Sequence, residues 1–301
     1  MSALSPRSGD HDRAGEFPAK IAESLWNHPS DFLLAAQKVR DSRKTIAPWR
    51  AAGVLVPLAL RPPSPGSGAG PGPADAGYVF QLIKRSAFVP QPGDLSFPGG
   101  LVDPILDRLL RLLLVHGPLP TVPPPLRQTL SGRGRSGAGA IGRLTALFLA
   151  TALRESWEEI HLPPGRVRFI GPLPTCGVTL FRRTIFPLAA LVRDPVALRP
   201  NREVERIVEI PLAAFGQKDN FGCFQLLFSP GTGADPVPSP GFPCLIHREP
   251  DGTEEVLWGA TFYIIVQFLR IVDRDYRLPD WRSGRVVQRT VTSAYRTGRP
   301  S

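Results

Sequence analysis

Apolar residues along this chain recur with two periods, and the switches between them mark the elements. Residues 17–41 place apolar side chains at helical spacing and predict one or two amphipathic helices. Residues 54–60 form a short apolar run and predict a strand. A Pro/Gly/Ser stretch at 61–77 separates it from a second predicted strand at 78–84, bounded by Gly77 and the turn-rich 86–93. A leucine-rich helical pattern covers 105–115, and another helix is expected from about 143 to 162, where Pro163 and Pro164 stop it. Strands are expected at 166–170, 183–193 and 204–210. Residues 213–228 fit neither period, and an apolar helix is expected at 259–272.

Composition narrows the class. The chain has 301 residues and 42% apolar content, enough for one large domain or two small ones. Its 35 prolines and 29 glycines concentrate at 61–77, 117–142 and 229–243, which reads as long loops between ordered pieces. The net charge of +10 suits an anionic ligand. The arginines are scattered, with Arg282, Arg285, Arg289, Arg296 and Arg299 near the end, and no aromatic-interleaved basic stripe points to nucleic acid. Cys176, Cys223 and Cys244 have no CxxC spacing and give no disulfide framework, so a reducing, cytoplasmic location is expected. The N-terminus lacks the apolar region of a secretory signal, and the longest apolar runs, at 144–153 and 260–269, are too short to cross a bilayer; no membrane partner is expected.

Candidate chemistry centres on residues 152–160, ALRESWEEI. Glu155, Glu158 and Glu159 sit three and four apart and share a helical face, while Leu149, Leu153, Trp157 and Ile160 are expected to dock the opposite face on a core. Clustered carboxylates repel one another unless a cation lies among them, and hard oxygen ligands suit Mg²⁺ or Mn²⁺. Taken alone, the same face also fits an ordinary solvated helix. Upstream, residues 96–100 read SFPGG, a turn whose glycines let bare backbone approach a neighbour. A second glycine string, residues 132–137, spells GxGxxG but follows no strand and is read as a linker. His161, His247 and Cys176 lack partners at ligand spacing, so zinc is not expected.

Gly100 with Arg154, Glu155, Glu158 and Glu159 resembles the Nudix box. The segment from Gln81 through Lys84, Arg85 and Ser86 to Gly93-Asp94-Leu95-Ser96-Phe97-Pro98-Gly99-Gly100 is similar to the signature of the coenzyme A diphosphatase branch. The resemblance spans about residues 50–272. It departs from the pattern in four ways. Gly100 and Arg154 lie 54 apart where the family has 14, an insertion of about 40 residues. The first box glutamate has only Asp103 and Asp107 as candidates. His161 replaces the box glycine after the acid pair, and Val89 and Gln91 stand where the branch has Arg and His.

The resemblance implies an α/β/α sandwich with a mixed sheet and a long insertion inside the box. It divides the chain into an N-terminal helical extension (1–45), a hydrolase domain (46–275, insertion about 103–143) and a loose basic tail (276–301). It implies hydrolysis of a phosphoanhydride in a nucleoside-diphosphate-linked compound, foremost coenzyme A or acyl-CoA, yielding phosphopantetheine and 3′,5′-ADP. Other nucleotides (ADP-ribose, nucleotide sugars, nucleoside triphosphates) and a non-catalytic nucleotide-binding module are the alternatives. Gly100, Glu155, Glu158 and Glu159 are then the ligands of Mg²⁺ or Mn²⁺, and Arg154 orients a box glutamate. Glu155 and Glu203 compete as general base, since a base must reach the attacking water. Lys84 and Arg85, beside the turn, are candidates to contact substrate phosphates. The insertion reads as a loop, a lid or a homodimer contact.

Overall fold

The computed structural model describes residues 13–61, 77–132, 137–193, 196–228, 237–291 and 295. Helices α1 (Arg13–Asn27) and α2 (Phe32–Ser42) precede strands β1 (Arg50–Arg61), β2 (Gly77–Arg85), β3 (Leu95–Ser96) and β4 (Gly99–Leu101). Helices α3 (Leu106–His116) and α4 (Pro124–Ser131) lead into the long α5 (Gly137–Ile160). Strands β5 (Val167–Pro172), β6 (Cys176–Val178), β7 (Arg183–Val192) and β8 (Val204–Pro211) follow. The chain then runs through β9 (Phe221–Phe228), β10 (Val237–Pro238), β11 (Phe242–Arg248), β12 (Glu254–Trp258), α6 (Gly259–Val272) and β13 (Arg285–Val291).

The first sheet is mixed. Its main path runs β3-β2-β1-β7-β5, with β8 on β2, β4 on β1 and β6 on β7. β1 and β7 pair in parallel from Arg50↔Arg183 to Ala59↔Val192, and the other pairs are antiparallel. β1 reads as an unbroken apolar run because both its faces are covered. Val54, Val56 and Leu58 point into one core with Leu25, Phe80 and Phe268; Leu55 and Ala59 point into the other with Phe32, Phe148 and Phe186. Helix α6 and the α1 residues Ile21 and Leu25 thus cover one face, and α2 and α5 the other, giving the expected sandwich. Pro57 is tolerated inside this central strand. Alternation aims its nitrogen to the same edge as the Leu55 N–H, which bonds Pro98 O at 3.0 Å, and pairing with β2 begins only at Leu58.

A second sheet, β10-β9-β11-β12, carries β13 in parallel on β9. Part of the segment expected to be a loose basic tail is therefore ordered: Arg285 to Val291 forms a strand, and Tyr276 and Tyr295 are buried. Burial alternates along RVVQRTV, with Val287, Arg289 and Val291 on the covered side, but the residue types do not, so the segment carries no period-2 signal in its sequence. The insertion is not an open loop either. Leu114, Val115, Val122 and Leu130 are buried with the α5 core, and Arg127 donates to the carbonyls of Gly117, Leu119 and Val122. The N-terminal helices pack into both cores. Most of the glycine string at 132–137 and the chain's last residues lie outside the described residues.

Candidate active site

Helix α5 crosses the sheet over Gly53, where a Cβ would meet the Phe148 carbonyl oxygen at 2.5 Å; only glycine lets the helix approach this closely. The core side of its last turns is formed by Leu149, Leu153, Ser156 and Ile160, with the Ser156 hydroxyl donating to Ala152 O at 2.6 Å. Ser156 takes the central position, so Trp157 is turned to the rim and is 48% exposed, contrary to the docking role expected of it. The same rotation sorts the acids. Glu155 and Glu159 lie on the flank facing the turn at Gly99 and Gly100, whereas Glu158 points outward.

At the turn, the Gly99 N–H donates to Glu159 Oε2 at 3.1 Å. A Cβ on Gly100 would lie 2.2 Å from Glu155 Oε1, so the carboxylate occupies the space a side chain would take. Burial first, with Glu155 and Glu203 adding to it, pushes the Glu159 carboxyl up to about 8 against the opposing Gly99 N–H and Arg85. Burial also raises Glu155, with Arg154 working against that shift. Two crowded carboxylates whose charged forms are disfavoured form an oxygen-only donor pair that suits a hard divalent cation. Among the described residues, no group of three or more His, Cys, Asp or Glu side chains stands ready to hold a metal. The expected trio is thus a converging pair, Glu155 and Glu159, with Glu158 apart.

Arg154 holds this edge in place. Its Nε donates to Asp107 Oδ1 at 2.8 Å and its Nη2 to Leu101 O at 3.1 Å; it pairs with Glu155 at 3.0 Å and Glu158 at 3.0 Å. Burial works against the guanidinium charge, yet Asp107 and the two glutamates keep its pKa above the ordinary value. Asp107 is fully buried and also accepts from Thr151 Oγ1 and the Asp103 N–H. Of the two acids considered for the missing box carboxylate, Asp107 is the arginine's partner, and Asp103 accepts from the Ile105 and Leu106 N–H groups at the start of α3. His161, just past the end of α5, takes the left-handed conformation that glycine favours, with φ 53, and its Nδ1 lies 2.9 Å from Arg199 O.

Glu203 is brought to the acid pair by contacts that sequence reading missed. Asn201 donates from its N–H to Glu159 O and from Nδ2 to Glu158 O, while its Oδ1 accepts from the Glu203 N–H at 2.7 Å. Ser86 clamps the same loop, donating to Glu203 O and, from its hydroxyl, to Arg202 O. Lys84 and Arg85 part company. Alternation along β2 sends Lys84 with Phe80 and Leu82 to one face, where it pairs with Glu255 at 2.9 Å and Glu205 at 3.2 Å. Lys84, expected to contact substrate phosphates, is thus engaged by acids of β8 and β12, on the other face from Arg85. Arg85, on the other face, lies within electrostatic range of Glu159 and of Arg183, whose charge is disfavoured by burial and by Arg85 and Arg50. Arg50 and Arg183 are register partners on β1 and β7.

No family model matches the chain. Two curated relatives are uncharacterised Nudix hydrolases named NudL. The one from Klebsiella pneumoniae is 34% identical over 91 residues, 30% of this chain and 46% of the relative. The one from Salmonella newport is 38% identical over 77 residues, 25% of this chain and 39% of the relative. The chain thus spans less than half the length of these relatives, and the matches support the Nudix hydrolase family for the segment they cover. Solved structures with a similar course include an Ap4A hydrolase from C. elegans (15% identity, TM-score 0.31, 54% of this chain and 80% of that one). Another is the Nudix domain of Shewanella oneidensis NrtR complexed with ADP ribose (14%, TM-score 0.32, 64% and 83%). At these TM-scores no site residue is carried across.

Proposed function

We propose that the chain is a Nudix hydrolase that cleaves a phosphoanhydride in a nucleoside-diphosphate-linked compound, using Mg²⁺ or Mn²⁺. The observation that carries this reading is the convergence of Glu155 and Glu159 on the Gly99 and Gly100 turn. Such a pair, half withdrawn from water, favours either a proton or a cation between its members. A divalent ion held there neutralises the diphosphate and lowers the pKa of an attacking water.

The chain's own residues divide the remaining work. Glu155 and Glu159 would hold the ion, with the Gly100 carbonyl as a further donor and Glu158, which shares Arg154 with Glu155, at the outer edge of the set. Arg154, locked by Asp107, fixes the helix edge and orients the Glu155 carboxylate. Glu203 approaches from outside the helix and is assigned as general base, with Glu155 the alternative. Arg85, with Arg183 and Arg50 beyond it, supplies positive potential for substrate phosphates.

The leading substrate is coenzyme A or acyl-CoA, from the likeness of residues 81–100 to that branch's signature. A second reading, ADP-ribose or another nucleotide, is favoured by Val89 and Gln91 at the branch's Arg and His positions. Incubation with Mg²⁺ and coenzyme A is expected to release 3′,5′-ADP, and Glu159→Gln to lower kcat about a thousandfold or more. Turnover of ADP-ribose alone would replace the substrate and keep the chemistry. Ligand binding without turnover, unchanged in Glu159→Gln, would point to a binding module.

A further inference from the structure

The insertion presents a surface that the proposed chemistry does not use. On α3 and at Ile105 just before it, Ile105, Leu106, Leu109, Leu112 and Leu113 follow one another at helical spacing and are all exposed, Ile105 by 75%, Leu109 by 56% and Leu113 by 57%. The opposite side of the same helix is buried through Asp107, Leu114 and Val115. The stripe is therefore a second apolar face on a helix already docked by its first. Beside it, a groove between α2, α3 and α5 is lined by Arg40, Arg108, Arg111 and Arg143 together with Leu33, itself 40% exposed. Among the described residues, none of those lining the groove is acidic.

We propose that this face docks on an anionic lipid surface, the leucines entering the headgroup boundary and the arginine rim meeting lipid phosphates. A contiguous exposed apolar stripe marks an interaction surface, and its pairing with basic residues is the pattern of a helix lying in the plane of a membrane interface. Charge chooses the occupant. A second copy packed face to face would bring two arginine rims of a chain with net charge +10 together, a repulsive arrangement, whereas anionic lipid neutralises the rim. The contact is peripheral, since no helix of the described residues is long and apolar enough to cross a bilayer. It departs from the sequence expectation of no membrane partner, which was argued from the lack of a spanning segment. The inference rests on α3 and its groove and does not depend on the hydrolase reading.

The test is co-sedimentation of the full chain with vesicles of phosphatidylcholine alone and of phosphatidylcholine with phosphatidylglycerol. The wild type is expected to pellet with the anionic vesicles, less so in high salt, and to stay in solution with the neutral ones. The double variant Leu109→Ser/Leu113→Ser alters only exposed side chains and is expected to lower the bound-to-free ratio about tenfold or more. Arg108→Glu is expected to weaken binding to the anionic vesicles and to reduce its dependence on salt. Absence of vesicle binding by the wild type, or binding indifferent to the double variant, would overturn the proposal. A concentration-dependent dimer lost in the double variant, without vesicle binding, would assign the face to a second copy instead.

Discussion

Asp107 is the residue on which the geometry of the acid edge turns. It is fully buried, and it accepts from Arg154, Thr151 and its own chain at Asp103. Asp107→Ala leaves a guanidinium only 12% exposed without its main partner. The expected cost is about 3–5 kcal/mol, the range for stripping one member of a buried ion pair, measurable as a lower midpoint in denaturant unfolding. An unchanged midpoint would mean that Arg154 re-pairs with Glu155 and Glu158 at no loss. The role of Asp107 was half legible: acids near 103–107 stood out, but a 54-residue gap hid which one faces Arg154, because only folding of the insertion sets that register. Helical spacing put Glu155 and Glu159 on one face, but only the SFPGG turn upstream set that face apart from an ordinary solvated one. Separating Glu158 from them needed the helix's rotation, fixed by Ser156 sitting at the core and not by Trp157. Lys84 could have been sorted from Arg85 by counting alternation from Phe80, whose side chain shares the Lys84 face.

At the scale of elements, the turn that meets the acids is held from the far end of the chain. Asp94, two residues before Ser96, accepts from Trp258 Nε1 at 3.2 Å and from Arg289 Nη1 and Tyr295 OH. Burial raises its pKa, with those three donors pulling the other way. Strand β13 and Tyr295 therefore clasp the loop leading to Gly99, and the Gln91 N–H bonds Tyr295 O at 2.8 Å. Arg289→Ala with Tyr295→Phe is expected to speed amide hydrogen exchange across 91–100 by about tenfold while leaving α6 unchanged. Equal exchange in both proteins would remove the clasp. Helices and strands with one strong period were read from the sequence; α6 falls at the expected bounds, while β1 begins at Arg50 and α5 at Gly137, both ahead of the expected starts near 54 and 143. The clasp was not, because its strand pairs in parallel with β9 across more than sixty residues and its own segment looks like a charged tail. Pairing partners at that distance leave no local signature.

For the whole molecule, a mixed sheet covered on both faces carries a helix whose outer flank lies against a glycine turn, and a second sheet closes around the approach to that turn. The sandwich was anticipated from the order of motifs; the second sheet was not, since most of its strands lie in proline-rich or ambiguous stretches. Both layers serve one arrangement, the meeting of Glu155 and Glu159 at Gly100. Calorimetric titration of the purified chain with Mn²⁺ tests it most directly. Saturable binding is predicted for the wild type, with loss of that binding in Glu155→Gln/Glu159→Gln at unchanged thermal stability. Failure of the wild type to bind, or a double variant that binds Mn²⁺ as tightly, would contradict the account.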